Sequence, residues 1–100
     1  MMGQAYSRLI EDAAVQTYGM EHQIRKFSEE MGEVLTAMNK YLNGEDTLEH
    51  LAEELADLSV TTEEMVLGFD IAERFNHYKT AKLERLWYNI QLLQRRGTGT

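Results

Sequence analysis

The sequence predicts an all-α protein, on three observations. Apolar residues recur at three-to-four spacing through four successive stretches, which is the helical period rather than the alternation of a strand. Proline is absent and only 7 glycines occur in 100 residues, which suits long helices. The places where the periodicity lapses carry helix-ending or helix-starting residues: Gly19, Asn43-Gly44, Asp46-Thr47, Gly68 and Asp70.

The first helix is expected from about Gln4 to Thr17, with Tyr6, Leu9, Ile10, Ala13 and Ala14 inward and Gly19 as a left-handed C-terminal cap. The second is expected from Met20 to Leu42, on a stripe of Ile24, Phe27, Met31, Val34, Leu35, Met38 and Leu42. It ends at Asn43-Gly44, two residues that tolerate positive φ. Asp46 followed by Glu49 resembles a capping box for the third helix, with Thr47 as the alternative cap. Leu48, Leu51, Leu55, Leu58, Thr62 and Met65 form its predicted inner face, and Gly68 lies near its end. Asp70 and Glu73 repeat the capping pattern before a fourth helix from about Ile71 to Gln94, bearing Ile71, Phe75, Tyr78, Leu86, Ile90 and Leu93. Leu83 and Trp87 broaden that stripe, which suggests a second buried side against another subunit. The expectation is one four-helix bundle-like domain over residues 1–95, built on a central antiparallel hairpin and assembling as a dimer or tetramer. Residues 96–100, rich in glycine and threonine, form a flexible tail.

Composition bounds the function. At 43% hydrophobic, the chain can bury a modest core, on the order of two-thirds of its unfolded surface. With no cysteine, disulfides and thiolate metal sites are excluded. A net charge of −7 argues against binding a nucleic-acid polymer and suits a hard cation that brings in an anionic substrate. No apolar run approaches a membrane span and no signal peptide is evident, so no membrane partner and a cytoplasmic location are expected.

Two acidic pairs flank the Asn43-Gly44 turn: Glu30 with Glu33, and Glu54 with Asp57. The midpoint of each lies about twelve residues from the turn, or ~18 Å at ~1.5 Å per residue. In an antiparallel hairpin the four carboxylates meet at one level. Lys26, Glu30 and Glu33 share one stripe of the second helix, and His50, Glu54, Asp57 and Thr61 one stripe of the third. Glu30 borders Val34 and Glu54 borders Leu58, so the carboxylates edge the core and repel one another unless a cation neutralises them. An all-oxygen ligand set favours Mg²⁺ or Mn²⁺. The competing reading is a solvated acidic face on a non-catalytic interaction or regulatory protein. A ferritin-like di-iron bundle needs Glu-x-x-His motifs, and no histidine here has a glutamate three residues before it.

Glu30-x-x-Glu33, twenty residues, then Glu54-x-x-Asp57 resembles the E-x-x-E…E-x-x-D signature of the all-α nucleoside triphosphate pyrophosphohydrolases, and most closely the small single-domain MazG-like group. Tyr18-Gly19, Gln23, Lys26 and Glu29-Glu30 have similar counterparts ahead of that motif, and Lys82-Leu83-Glu84-Arg85-Leu86 resembles the K-x-x-R-L stretch behind it. The resemblance implies a Mg²⁺-dependent cleavage of a nucleoside triphosphate between the α and β phosphates, giving a monophosphate and pyrophosphate, in nucleotide-pool housecleaning. It implies Glu30, Glu33, Glu54 and Asp57 as metal ligands, with one of them or Glu29 taking the proton of the attacking water; Glu33 and Glu30 are the catalytic candidates. Lys82, Arg85, Lys26 and Gln23 are the substrate-binding candidates, and a homodimer or homotetramer is implied. A phosphoribosyl-ATP pyrophosphatase ranks lower, because the Ser-Tyr-Thr stretch associated with that group is missing.

Overall fold

The computed structural model describes residues 3–98, and all regular structure in them is helical. Four helices follow one another: α1 (Gln4–Tyr18), α2 (Met20–Leu42), α3 (Leu48–Gly68) and α4 (Ala72–Thr98). No strand occurs among the described residues, so the all-α expectation holds. None of the helices is long and apolar enough to cross a membrane.

The breaks fall where the punctuating residues are. Gly19 alone joins α1 to α2, at φ 84°, a conformation that an L side chain rarely adopts. Its N–H donates to the Val15 carbonyl (2.9 Å) and its carbonyl accepts from Gln23 N–H (3.1 Å), so one residue closes one helix and opens the next. At the second turn only Gly44 takes positive φ (74°); Asn43 stays at φ −87°. The cap of α3 is Thr47, not Asp46: its side-chain oxygen accepts from His50 N–H at 3.1 Å. Asp46 instead accepts from the Thr47 N–H (2.7 Å) and so fixes the residue that caps. Asp70 does not cap α4. It adopts φ 56°, and Ile71 is the residue immediately ahead of the helix. The fourth helix also passes its expected end near Gln94 and continues through Thr98. Of the expected tail, Arg96, Gly97 and Thr98 are helical, and Gly99 and Thr100 lie outside the described residues.

The chain separates into two units, one through Asp70 and one from Ile71. In the first, α2 packs on α3 as an antiparallel hairpin, with Gln23 near the start of α2 bonded to Glu64 near the end of α3. Helix α1 lies against both. The inward positions of α2 are Gln23, Phe27, Glu30, Val34 and Ala37, and those of α3 are Leu51, Glu54, Leu58, Thr61 and Met65. Both runs step by three and four, the spacing of a coiled-coil seam, and the Gln23–Glu64 bond and the approach of Glu30 and Glu33 to Glu54 tie them together.

That seam corrects the predicted inner faces. Val34 is buried as expected and Phe27 is half-buried, but Ile24, Met31, Leu35, Met38 and Leu42 are exposed. On α3, Met65 is buried and Leu51 and Leu58 are half-buried, whereas Leu48 and Leu55 are exposed. On α1, Glu11 and Val15 face inward while Tyr6, Leu9 and Ile10 face out. Polar residues hold seam positions, so each helix is rotated from its purely apolar face. The second unit is α4, a helix of 27 residues and thus ~40 Å long. Phe75, Tyr78, Leu83 and Leu86 on it are exposed and line an apolar groove together with Lys79 and Lys82.

A candidate cation site in the helical hairpin

Two of the predicted ligands sit inside the seam. Glu30 and Glu54 are half-buried, at positions where a coiled-coil hairpin ordinarily places leucine or valine. The register then brings Glu33 alongside, and one carboxylate oxygen from each of Glu30, Glu33 and Glu54 lies within 4.8 Å of the others. It is the one such group of three acidic or histidine side chains among the described residues. Asp57, the fourth predicted ligand, is exposed and outside that trio, although its charge is felt at both Glu30 and Glu54.

The electrostatics are those of crowded anions whose charge Lys26 at Glu30 and His50 at Glu54 offset only in part. Loss of hydration raises the Glu30 pKa above the usual carboxylate range, and repulsion from Glu33, Asp57 and Glu54 adds to it, with Lys26 opposing. The Glu54 pKa is raised first by loss of hydration and then by a hydrogen bond to and repulsion from Glu33. Glu30 Oε2 and Glu54 Oε2 are buried and have no hydrogen-bond partner. A buried carboxylate oxygen left unmatched is costly unless a proton or a cation occupies the space beside it. Carboxylates from two facing helices suit a hard divalent cation.

A cleft of ≈ 510 Å³ opens from Glu33 and Glu54 along the hairpin, past Thr36 to Lys40. Gly32 and Glu29 also line it. Glycine in the interior of a helix costs about 0.5–1 kcal/mol relative to alanine, and no atom lies within 4 Å of where a Gly32 Cβ would stand. The absent side chain therefore widens the cleft rather than admitting a neighbour.

The histidine on the Glu54 stripe has a defined place that spacing alone did not single out. His50 Nδ1 lies 2.6 Å from Asp46 Oδ2 and Nε2 lies 3.1 Å from Glu54 Oε1. Both partners are carboxylates and accept, so both ring nitrogens donate when those carboxylates are ionised, and His50 is then an imidazolium. The hydrogen bond to Asp46 is the leading cause of the raised His50 pKa, and the same bond holds Asp46 below its usual range. The signal was present as Asp46, His50 and Glu54 at successive i,i+4 positions. Lys40, which lines the cleft together with His50, was likewise missed.

The predicted substrate contacts divide. Lys26 is exposed on α2 near Glu30. Gln23 is 1% exposed, with its amide nitrogen on Glu64 and its oxygen 2.8 Å from His22 Nδ1, so it is committed to the seam rather than to the cleft. Lys82 and Arg85 are exposed on α4, three residues apart and so on one face. Compared with known proteins, the chain matches no family model, no curated protein and no solved structure.

Proposed function

We propose that this chain is a Mg²⁺-dependent nucleoside triphosphate pyrophosphohydrolase of the MazG-like kind, cleaving between the α and β phosphates to release a nucleoside monophosphate and pyrophosphate. The observation that carries the reading is the trio Glu30, Glu33 and Glu54, two of whose members keep a buried oxygen without a partner. Those three residues hold the cation, with Asp57 beside them. When bound, Mg²⁺ (or Mn²⁺) supplies neutralisation of phosphate charge and polarisation of the phosphorus centre. Glu33, at the cleft wall, accepts the proton of the attacking water, with Glu30 as the alternative acceptor. His50 holds Glu54 through its Nε2 and is itself held by Asp46, which fixes the orientation of a ligand carboxylate. Lys40 in the cleft, Lys26 near Glu30, and Lys82 with Arg85 on α4 supply positive charge for phosphate oxygens.

The same proposal includes a four-helix bundle-like arrangement completed by a second copy. Exposed Ile24, Met31, Leu35 and Met38 in the first unit, and Phe75, Leu83 and Leu86 in the second, support it, because apolar surface of that extent marks an interaction site. Charge supports it too: the acidic residues concentrate before Ile71, while α4 carries Arg74, Lys79, Lys82, Arg85, Arg95 and Arg96 against Glu73 and Glu84. Attraction between unlike faces of two copies favours association. The exposed apolar residues also suit a non-catalytic interaction protein. A panel of canonical and modified nucleoside triphosphates with Mg²⁺ and Mn²⁺, read by pyrophosphate release, separates the two. Release abolished by Glu33→Ala at unchanged helicity supports the enzyme; no release from any nucleotide removes it.

A further inference from the structure

At the Gly19 end of the hairpin, α1 is laid on α3 through the apolar Val15 and, one turn earlier, through the acidic Glu11. Glu11 on α1 and Glu64 on α3 are each only 5% exposed. Glu64 is provided for: the Gln23 amide of α2 donates to its Oε2, and Gln23 is in turn held by His22. Glu11 is not, because its Oε1 is buried without a partner and its side-chain neighbour on α3 is Glu63. Two ionised carboxylates cannot hydrogen-bond, since neither has a donor. The charged groups around Glu11 do not cure this. Helix α3 presents Glu63 and Glu64, α2 presents the neutral Gln23 with His22 behind it, and only Arg8, on α1 itself, opposes.

We infer that Glu11 and Glu63 form a proton-binding site, and that the shared proton is what lets α1 lie on the hairpin. The ligand is a proton rather than a metal ion, because Glu11 belongs to no trio of carboxylate oxygens within metal-ligand range, whereas Glu30, Glu33 and Glu54 do. Burial raises the Glu11 pKa from 4.5 to about 7, followed by the hydrogen bond to Glu63 and repulsion from Glu63 and Glu64. Glu63 is exposed, so the site exchanges its proton with solvent directly. The sign follows from the direction of that shift. For an acid raised in the folded state, the proton's contribution to docking is fully present below the ordinary carboxylate pKa and is lost as pH rises through about 7. Gly19 is the single residue joining α1 to α2, so α1 can leave the hairpin by rotation at one residue already in a conformation suited to glycine.

The test is a carboxyl and backbone NMR titration of the full chain from pH 5 to 9. Glu11 should titrate near 7 instead of near 4.5, and the resonances of α1 should shift with the same midpoint while those of the α2–α3 turn do not. Glu11→Gln supplies an amide donor to the Glu63 carboxylate and should keep α1 docked up to pH 9. Glu63→Gln, donating the other way, should do the same and serves if the first variant does not fold. A Glu11 midpoint near 4.5, α1 resonances that ignore pH, or a transition that persists in the folded glutamine variants would each overturn the inference. Shifts at Glu11 that follow added Mg²⁺ instead of pH would overturn it as well.

Discussion

Adding Mg²⁺ should stabilise the hairpin, and removing one carboxylate should both stabilise the metal-free chain and abolish that response. A site of three carboxylates with no dedicated cage falls among weak divalent sites, with Kd on the order of 10⁻³ M. At ~10 mM Mg²⁺, a tenfold excess over Kd, mass action contributes about 1.4 kcal/mol to the folded state. For a domain of this size 1 kcal/mol corresponds to ~4–8 °C, so Tm should rise by about 6–11 °C at pH 7.5. Protons compete for the same oxygens. The Glu30 and Glu54 pKa values are both raised, so without metal their contribution to stability is present at low pH and fades as pH rises through the folded values. The Mg²⁺ effect must therefore grow from pH 5 to pH 7.5. Glu30→Gln separates this from a nonspecific salt effect, because it removes a charge that is repelled by Glu33, Asp57 and Glu54. Its metal-free Tm should exceed that of the parent, and its Mg²⁺ increment should vanish. Thermal melts with NaCl at matched ionic strength measure all of this. An increment equal to that of NaCl, or one retained in Glu30→Gln, would refute the cation site.

Two further substitutions probe the scaffold. A Cβ at Gly68 would overlap Met20 Sδ and stand 2.9 Å from Met20 Cε and 3.3 Å from Val15 Cγ1, where α1, α2 and α3 meet. Overpacking costs about 1–3 kcal/mol and the better helix propensity of alanine returns about 1. Gly68→Ala should thus lose ~0–2 kcal/mol in urea melts; a clear gain in stability would mean that the Met20 contact is not tight. Leu35, 66% exposed on α2, should matter to association rather than to folding. Leu35→Glu should lower the sedimentation coefficient with helicity kept, and a parent chain that is monomeric at every concentration would end the proposed pairing.

Helix existence and most helix ends were legible because they depend on local chemistry. Gly19, Gly44 and Thr47 act where a chain reversal or a cap needs them, and their types announce it. The approach of Glu30 and Glu33 to Glu54 was also legible, since it needs only residue counts on either side of one turn, but Asp57, expected at the same level, falls outside the trio. Helix orientation was not. Hydrophobic periodicity assigns the inner face to whichever stripe is most apolar, and on α2 that stripe is Ile24, Phe27, Met31, Val34, Leu35, Met38 and Leu42, of which only Phe27 and Val34 turn inward. The seam instead runs through Gln23, Glu30, Val34 and Ala37, a face rotated toward polar residues. The Glu11–Glu63 contact was illegible for a related reason: a glutamate facing inward one turn ahead of Ala14 and Val15 has no signature until its partner helix is in place. Asp46 and His50 lay in the open as an i,i+4 series, but their meaning depends on Glu54 entering the seam.

Where local rules fail in a folded chain, function is the first explanation to examine. Here the failures share a form. Glu30 and Glu54 leave buried oxygens that lack a donor, Glu11 faces Glu63 without one, and leucines and methionines displaced from the seam face outward. Each deficit can be met by something the chain does not itself contain: a divalent cation, a proton, and a second apolar surface. The three are not interchangeable. A cation cannot cover Leu35, and a partner's apolar face beside Glu30 would worsen its desolvation. Apolar residues in place of Glu30 and Glu54 would make a more stable hairpin, by the comparison of buried charges with well-packed hydrophobes. The proposed cation site gives Glu30 and Glu54 a reason to stand in the seam, where leucine or valine would pack better.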